Sequence, residues 1–319
     1  MEENNYPFPS DGTRYNTWSR HLKDRFGFKV FKVALDAGFD CPNRDGTVAF
    51  GGCTFCSAAG SGDFAGDRVD PIEVQFAEIR DRMHKKWKSG KYMAYFQAYT
   101  NTHAPLEKLK EKFEAALAQE GVVALSIATR PDCLPDDVVE YLAELNERTY
   151  LWVELGLQTV HEKTAKLVNR AHDFELYKEG VQKLRNHNIN VCTHIINGLP
   201  GEDLDMMKET ASEVAKLDVQ GIKIHLLHLL KGTPMVKQYE KGMLEFLDQE
   251  TYVNLVVDQL EMLPPEMIVH RITGDGPIDL LIGPMWSVTK WDVLNDISRE
   301  LERRDSWQGK HYQKSVAPL

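Results

Sequence analysis

Six short runs rich in apolar and β-branched residues punctuate the first two thirds of the chain, and longer amphipathic segments fill the gaps. The runs lie at about residues 29–35 (KVFKVAL), 92–97 (YMAYFQ), 122–128 (VVALSIA), 150–156 (YLWVELG), 190–196 (NVCTHII) and 221–227 (GIKIHLL). Between them the apolar spacing is helical. Phe174, Tyr177, Val181 and Leu184 share one face, as do Met207, Ala211 and Val214. Pro105, Pro135 and the Gly201-Glu202-Asp203 turn sit where helices should begin. Strand and helix repeated about six times predict an α/β fold, a parallel sheet with helices outside. Six units are two short of a closed eight-fold barrel, so an open or partial barrel and a doubly wound sheet both fit. In either, ligands gather at the C-terminal ends of the strands. Residues 1–28 are expected to form an N-terminal extension and 29–240 the core. Residues 241–319 should form an extension packed on that core, with a short β-like stretch around Met267 to Thr273.

Three of the five cysteines, Cys41, Cys53 and Cys56, fall in the stretch CPNRDGTVAFGGCTFC directly after the first strand, with gaps of eleven and two residues. Five is an odd, low count for a disulfide framework, and clustered thiols in a reducing compartment suit metal or redox chemistry. Thiolates are soft ligands for zinc, copper(I) or iron–sulfur clusters. Three of them on one loop, with Gly46, Gly51 and Gly52 letting the backbone wrap closely, fit a four-iron cubane with one iron left open; a degenerate zinc loop has the same spacing. Cys192 reads as a small buried apolar residue, and Cys133 sits alone in a strand-to-helix loop.

The remaining composition narrows the class. Of 319 residues, 42% are hydrophobic and 27% charged, as in globular domains. The longest apolar runs are too short to cross a bilayer, and MEENNYPFPSDG has no signal-peptide character. A cytoplasmic location without membrane contact is the expectation. A net charge of −10 argues against indiscriminate nucleic-acid binding and leaves room for a local basic face.

The cysteine loop, with Phe55 before its last thiol, resembles the variant motif of radical SAM enzymes of the Elongator-catalytic-subunit and coproporphyrinogen-oxidase-like branch. The resemblance implies a partial (β/α)6 TIM-like barrel. It also implies that Cys41, Cys53 and Cys56 hold a four-iron four-sulfur cluster whose open iron takes S-adenosylmethionine, with Phe55 near the adenine. VELGLQTVHEKTAKLVNRAHDFE is similar to the family's fourth-strand block. There Gln158 would meet the ribose and Arg170 the methionine carboxylate through its bidentate fork, with His172 completing an R-x-H pattern. Glu154 in that block and His194 at the head of HIINGLPGED join the cofactor-binding candidates. Where relatives carry a GGE-like turn this chain has YFQAYTNTHAP, which passes that duty to Gln97, Tyr99, Thr100 and Asn101. Ala128 stands before Thr129-Arg130-Pro131-Asp132 where relatives often place an acid.

RYNTWSRHLKDRFG, DAGFDCPNRDGT and HRITGDGP…LLIGPMWSVTKWDVLNDI narrow the resemblance to the YtqA/YhcC-type subgroup. It implies tRNA wobble-uridine modification, converting a carboxymethylaminomethyl side chain to aminomethyl. It also implies a flavodoxin- or ferredoxin-type electron donor. Arg271, His225 and His228 are the candidates for facing substrate; a structural salt bridge for Arg271 and core positions for the histidines are the alternatives. Contact with tRNA would fall to three basic stretches: Arg14, Arg20, Lys23, Arg25, Lys29 and Lys32; HKKWKSGK around Trp87; and Arg299, Arg303, Arg304, Lys310, His311 and Lys314. A solvated helix face is the plainer reading of each, and Trp286 and Trp291 read as packing residues. The rival functions are a radical SAM oxidoreductase or decarboxylase acting on a small molecule, and a non-catalytic cluster- or zinc-binding RNA adaptor. The tail after residue 240 is too short for an acetyltransferase domain.

Overall fold

The computed structural model describes residues 6–8 and 12–313. The six expected strands form within a residue or two of their predicted bounds: β1 Val30–Leu35, β2 Lys91–Phe96, β3 Val122–Thr129, β4 Tyr150–Gln158, β5 Asn190–Asn197 and β6 Gly221–Leu226. Two further short strands follow, β7 Leu229–Leu230 and then β8 Ile268–Arg271, and β9 Leu281–Gly283 is the last. The helices are α1 Trp18–Phe26, α2 Ile72–His84, α3 Leu106–Leu117, α4 Asp136–Arg148, α5 Glu162–Leu167, α6 Phe174–Arg185, α7 Leu204–Ala215, α8 Met235–Glu240, α9 Gln249–Met262 and α10 Lys290–Arg303. The main sheet has seven strands in the order β1-β2-β3-β4-β5-β6-β8, the sequential order of a partial (β/α)6 barrel with one strand added. The extra strand comes from the C-terminal extension, where the sequence showed only a short β-like stretch. None of the described helices is long and apolar enough to cross a membrane.

The chain forms two compact units. One comprises Leu22–Gly156 and Asn169–Cys192. In it β1 to β4 pair in parallel, with Ala34 opposite Tyr95, Tyr95 opposite Ser126 and Ala128 opposite Glu154. Phe31, Val33 and Leu35 are buried on the face where α2 packs, and Lys32 points the other way. Lys32 Nζ reaches Glu154 Oε1 at 2.7 Å, although β1 and β4 are separated by two strands. Three ladder spacings would set these strands about 14 Å apart on a flat sheet, beyond what the two side chains span. The sheet of this unit therefore curls, with the Lys32 face concave. Pro105 and Pro135 stand at the N-caps of α3 and α4, as their missing N–H allows.

The other unit comprises Met1–His21, Leu157–Val168 and Thr193–Leu319. Here β8 joins β6 in parallel, Ile222 opposite Val269. The segment before α1 secures the far side of β8: Val269 N donates to the Asn16 carbonyl at 2.8 Å. Arg14 pairs with Asp305 at 3.3 Å, and Asn16 N donates to Gln308 Oε1 at 2.8 Å, so the segment also ties to the end of α10. Asp203 caps α7 by accepting from Met206 N at 2.9 Å. The antiparallel pair β7·β9, Leu229 opposite Gly283, folds residues 273–280 back toward the end of β6. That return places the Gly/Pro loop against the functional candidates of this unit.

Candidate active site

The cysteine loop leaves the C-terminal end of β1 and is built from tight turns. Arg44 N and Asp45 N donate to the Cys41 carbonyl at 2.7 and 3.1 Å, and Cys56 N donates to the Cys53 carbonyl at 3.0 Å. Gly51 and Gly52 take φ of +83° and +74°, the left-handed region that glycine enters without a Cβ clash. Asn43 Nδ2 donates to the Asn169 carbonyl at 2.6 Å and contacts Cys53 Sγ at 3.6 Å. Asn169 Nδ2 returns bonds to the carbonyls of Gly52 and Phe50 at 2.8 and 3.0 Å. The eleven-residue insertion is thus clasped onto the segment after α5, where Arg170 sits. Phe55 is half-buried beside Cys56.

None of the five cysteines is in a disulfide. The Cys56 thiol is pulled down to about 6, first by the hydrogen bond from Cys53 and then by Ser61 and Arg44 against the cost of burial. Cys53, donor in that bond and half-buried, is pushed up in turn. Among the described residues, no three His, Cys, Asp or Glu side chains converge as a single metal ion requires. A closed structural zinc site takes four ligands, and this loop offers three thiols, which suits a cluster with one iron left open. Cys133 and Cys192 are buried outside the loop, at 6% and 0% exposure, and remain simple core thiols.

The other cofactor candidates divide by what already occupies them. Gln97 Nε2 donates to the Ser61 carbonyl at 2.8 Å, linking the β2 exit to the cysteine loop. Thr100 is buried, and its N–H reaches the Asp40 carbonyl at 3.3 Å. Asn101 Nδ2 straps three carbonyls, those of Phe96, Ala98 and Ala128, at 2.9–3.1 Å; its buried Oδ1 has no partner among the described residues. Arg170 is fully buried and gives Nε and Nη2 to the His172 carbonyl at 2.9 and 2.8 Å. Arg130, paired with Asp132 at 2.6 Å, donates to the Arg170 carbonyl at 2.8 Å. Burial and then the charges of Arg170 and Arg130 hold His172 down at about 3, so its ring is neutral. Gln158 and Ala171 adopt φ of +65° and +60°, a strained region for residues with a Cβ and one that gathers at functional sites. Glu154 has no exposed side-chain surface and is held by Lys32 Nζ and by Ser126 Oγ, each at 2.7 Å.

The substrate-facing candidates come together. A Cβ built on Gly274 would lie 3.6 Å from His228 Cε1, 3.7 Å from His225 Nδ1 and 3.9 Å from Arg271 Nη1. The His194 ring stands 5.2 Å from that of His225. Arg271 makes no ion pair or hydrogen bond among the described residues. The neighbouring acid, Asp275, is taken by Lys290 at 2.7 Å. The salt-bridge alternative for Arg271 therefore falls away, and a half-buried guanidinium is left facing a glycine.

The basic stretches fare differently. Lys32 belongs to the Glu154 pair and not to an outer phosphate face. Arg14 and Arg20 are bound within their own unit, Arg25 lies over Tyr150 at 3.8 Å, and Lys29 lies over Trp87 at 4.3 Å. Arg299, Arg303 and Arg304 are paired to Asp296, Glu300 and Asp258; Lys314 lies outside the described residues. Among the described residues Lys23, Lys85, Lys86, Lys88 and Lys91 make no ion pair, and the last four lie ahead of or at the start of β2, at the end of the strands opposite the cysteine loop. Trp286 packs as expected, with Nε1 donating to the Leu247 carbonyl at 2.9 Å. Trp291 does not: it is 76% exposed, because its position on α10 lies off the Val293-Ile297-Leu301 stripe.

Sequence reading missed the Lys32–Ser126–Glu154 group and the Asn43–Asn169 clasp. A lysine between Phe31 and Val33 in a strand was the available signal for the first; nothing local announces the second.

Residues 43–214 match the Radical SAM superfamily and residues 219–303 the Radical_SAM C-terminal domain. YtqA of Bacillus subtilis (strain 168) is 73% identical over 314 residues, 98% of each chain. A tRNA uridine(34) acetyltransferase of Methanocaldococcus jannaschii is 24% identical over 168 residues, 52% of this chain and 30% of that one. The solved structure of the Methanocaldococcus infernus Elp3 shares the fold, with a TM-score of 0.66 over 88% of this chain and 64% of that one, at 17% identity. Cysteine loop, strand order and both sequence matches agree: the chain belongs to the radical SAM superfamily, whose members bind a four-iron four-sulfur cluster and S-adenosylmethionine, and within it to the YtqA/YhcC-type subgroup.

Proposed function

We propose that this radical SAM enzyme acts on the wobble uridine of tRNA, converting a carboxymethylaminomethyl side chain to aminomethyl. Cys41, Cys53 and Cys56 would hold its single cluster, with Phe55, Gln97, Thr100, Asn101, Glu154, Gln158, Arg170 and His194 about the S-adenosylmethionine. Bound together and reduced by a flavodoxin- or ferredoxin-type donor, cluster and cofactor would supply a 5′-deoxyadenosyl radical able to take a hydrogen atom from a C–H bond of the substrate. The side chain carries a CH2 between nitrogen and carboxylate, and a radical there is stabilised by both neighbours. Loss of that hydrogen atom to the deoxyadenosyl radical, of one electron to the oxidised cluster and of the protons on nitrogen to solvent would give an imine, which water splits into the aminomethyl uridine and glyoxylate. No hydrolytic nucleophile is needed.

The observation that carries the assignment is Arg271, a half-buried cation without an acidic partner among the described residues, beside two histidines and a glycine. Such a charge is stabilised by an anionic ligand, and the carboxylate of this side chain is one. A tRNA substrate is supported by the relative that acts on tRNA uridine 34. The internal pairing of Arg299, Arg303 and Arg304 favours a second reading, an oxidation or decarboxylation of a small carboxylate. Mass spectrometry of tRNA nucleosides from a strain lacking the gene separates the two. Accumulated carboxymethylaminomethyl uridine with loss of the aminomethyl form is expected; an unchanged nucleoside profile would favour the small molecule.

A further inference from the structure

His228 is fixed in one tautomer. Ser287 Oγ donates its only proton to the Pro284 carbonyl at 2.7 Å. The 3.1 Å contact between His228 Nε2 and Ser287 Oγ therefore requires the hydrogen to sit on Nε2. Burial, with Arg271 opposing protonation and Asp275 favouring it, pulls the ring down to about 4, so it is neutral near pH 7 and Nδ1 carries a lone pair. Among the described residues Nδ1 has no partner. A Cβ built on Gly276 would come 3.3 Å from His228 Cγ, and one on Gly274 3.6 Å from Cε1. Nδ1 lies between those two ring atoms, so the two glycines leave clear the space beside the acceptor. Arg271 Nη1 flanks the same space, 3.9 Å from the position a Cβ would take on Gly274.

A guanidinium and a neutral acceptor side by side match a carboxylate next to a cationic amine. We propose that Arg271 and His228, beneath residues 273–277, form a subsite for an N-substituted glycine: Arg271 takes the carboxylate, and His228 Nδ1 accepts a hydrogen bond from the secondary ammonium. This rests on the wobble-uridine reading and names the two groups of the side chain that are read. Gly274 and Gly276 are bare because a side chain there would occupy the ligand's place.

Anticodon stem–loop RNA carrying the carboxymethylaminomethyl group is compared with the same RNA whose amine is replaced by an ether oxygen, which keeps the carboxylate and removes the donor. The readouts are turnover of the amine RNA and direct binding of both RNAs to the cluster-loaded enzyme. Wild type should bind the ether about tenfold or more weakly, the loss expected for one hydrogen bond to a charged group. His228→Gln keeps a donor toward Ser287 and removes the acceptor at the Nδ1 position; it should bind the two RNAs alike. His228→Asn returns an oxygen to that position and should restore the preference for the amine, which also shows that the site has folded. Undiminished discrimination by His228→Gln would overturn the subsite while wild-type turnover leaves the substrate assignment standing. If wild type itself forms no 5′-deoxyadenosine with the amine RNA, the substrate assignment falls and the subsite with it.

Discussion

Lys32 and Glu154 show how much one buried pair asks of its surroundings. The carboxylate has no exposed surface and is held by Lys32 and Ser126. Removing the cation alone leaves a buried charge, which costs about 3–5 kcal/mol. Lys32→Ala should therefore lose about that much in denaturant unfolding. Lys32→Met with Glu154→Gln should recover most of it, because neither partner is then charged. Equal stability of the single and double variants would mean the pair lies in a wetter site than its burial indicates. His228 makes a second residue-level expectation. Its folded value of about 4 lies below the unfolded value of about 6.5, so between the two the unfolded chain binds more protons. Its contribution to stability is full above about pH 6.5 and is lost as pH falls toward 4. Asp275 and Arg271 face the same ring and act on this titration, the first raising and the second lowering it. Acid unfolding of His228→Asn should be shallower across that window than wild type, and parallel curves would place the ring in water.

At the level of elements, the cysteine loop is a self-bonded turn assembly held by a distant asparagine. Changing Cys41, Cys53 or Cys56 to Ala should remove most of the iron and the brown colour after anaerobic reconstitution, whereas changing Cys133 or Cys192 should not. Equal iron loss in the Cys192 variant would break the three-ligand assignment. This loop was legible in the sequence because ligand spacing and glycine placement are local properties. The strands were legible for the same reason: β1 to β6 are apolar runs bounded by turns, and parallel pairing between helices makes β2 apolar at consecutive positions, all buried after Lys91. What escaped was non-local. β8 is four residues long and gains its place only by pairing with β6 and receiving the N-terminal segment at Val269. The Asn43–Asn169 clasp joins residues 126 positions apart, and no periodicity encodes it. In the first basic stretch Lys32 departs from both readings, because charge in a sequence does not say whether its partner is solvent, RNA or, as here, a carboxylate three strands away.

For the whole molecule, the two sequence matches and the strand order fix the superfamily, and the substrate rests on Arg271 and its histidines. Arg271→Ala should weaken binding of a carboxylate-bearing RNA by about tenfold or more while leaving cluster loading unchanged. Arg170→Ala should instead weaken S-adenosylmethionine binding, by a similar factor, in the absence of any RNA. The most direct measurement uses tRNA deuterated at the CH2 between nitrogen and carboxylate, incubated with reduced enzyme and S-adenosylmethionine. Deuterium should pass into 5′-deoxyadenosine as aminomethyl uridine and glyoxylate form. Label retained in the tRNA or released only to solvent, or no deoxyadenosine formed at all, would overturn the proposed reaction.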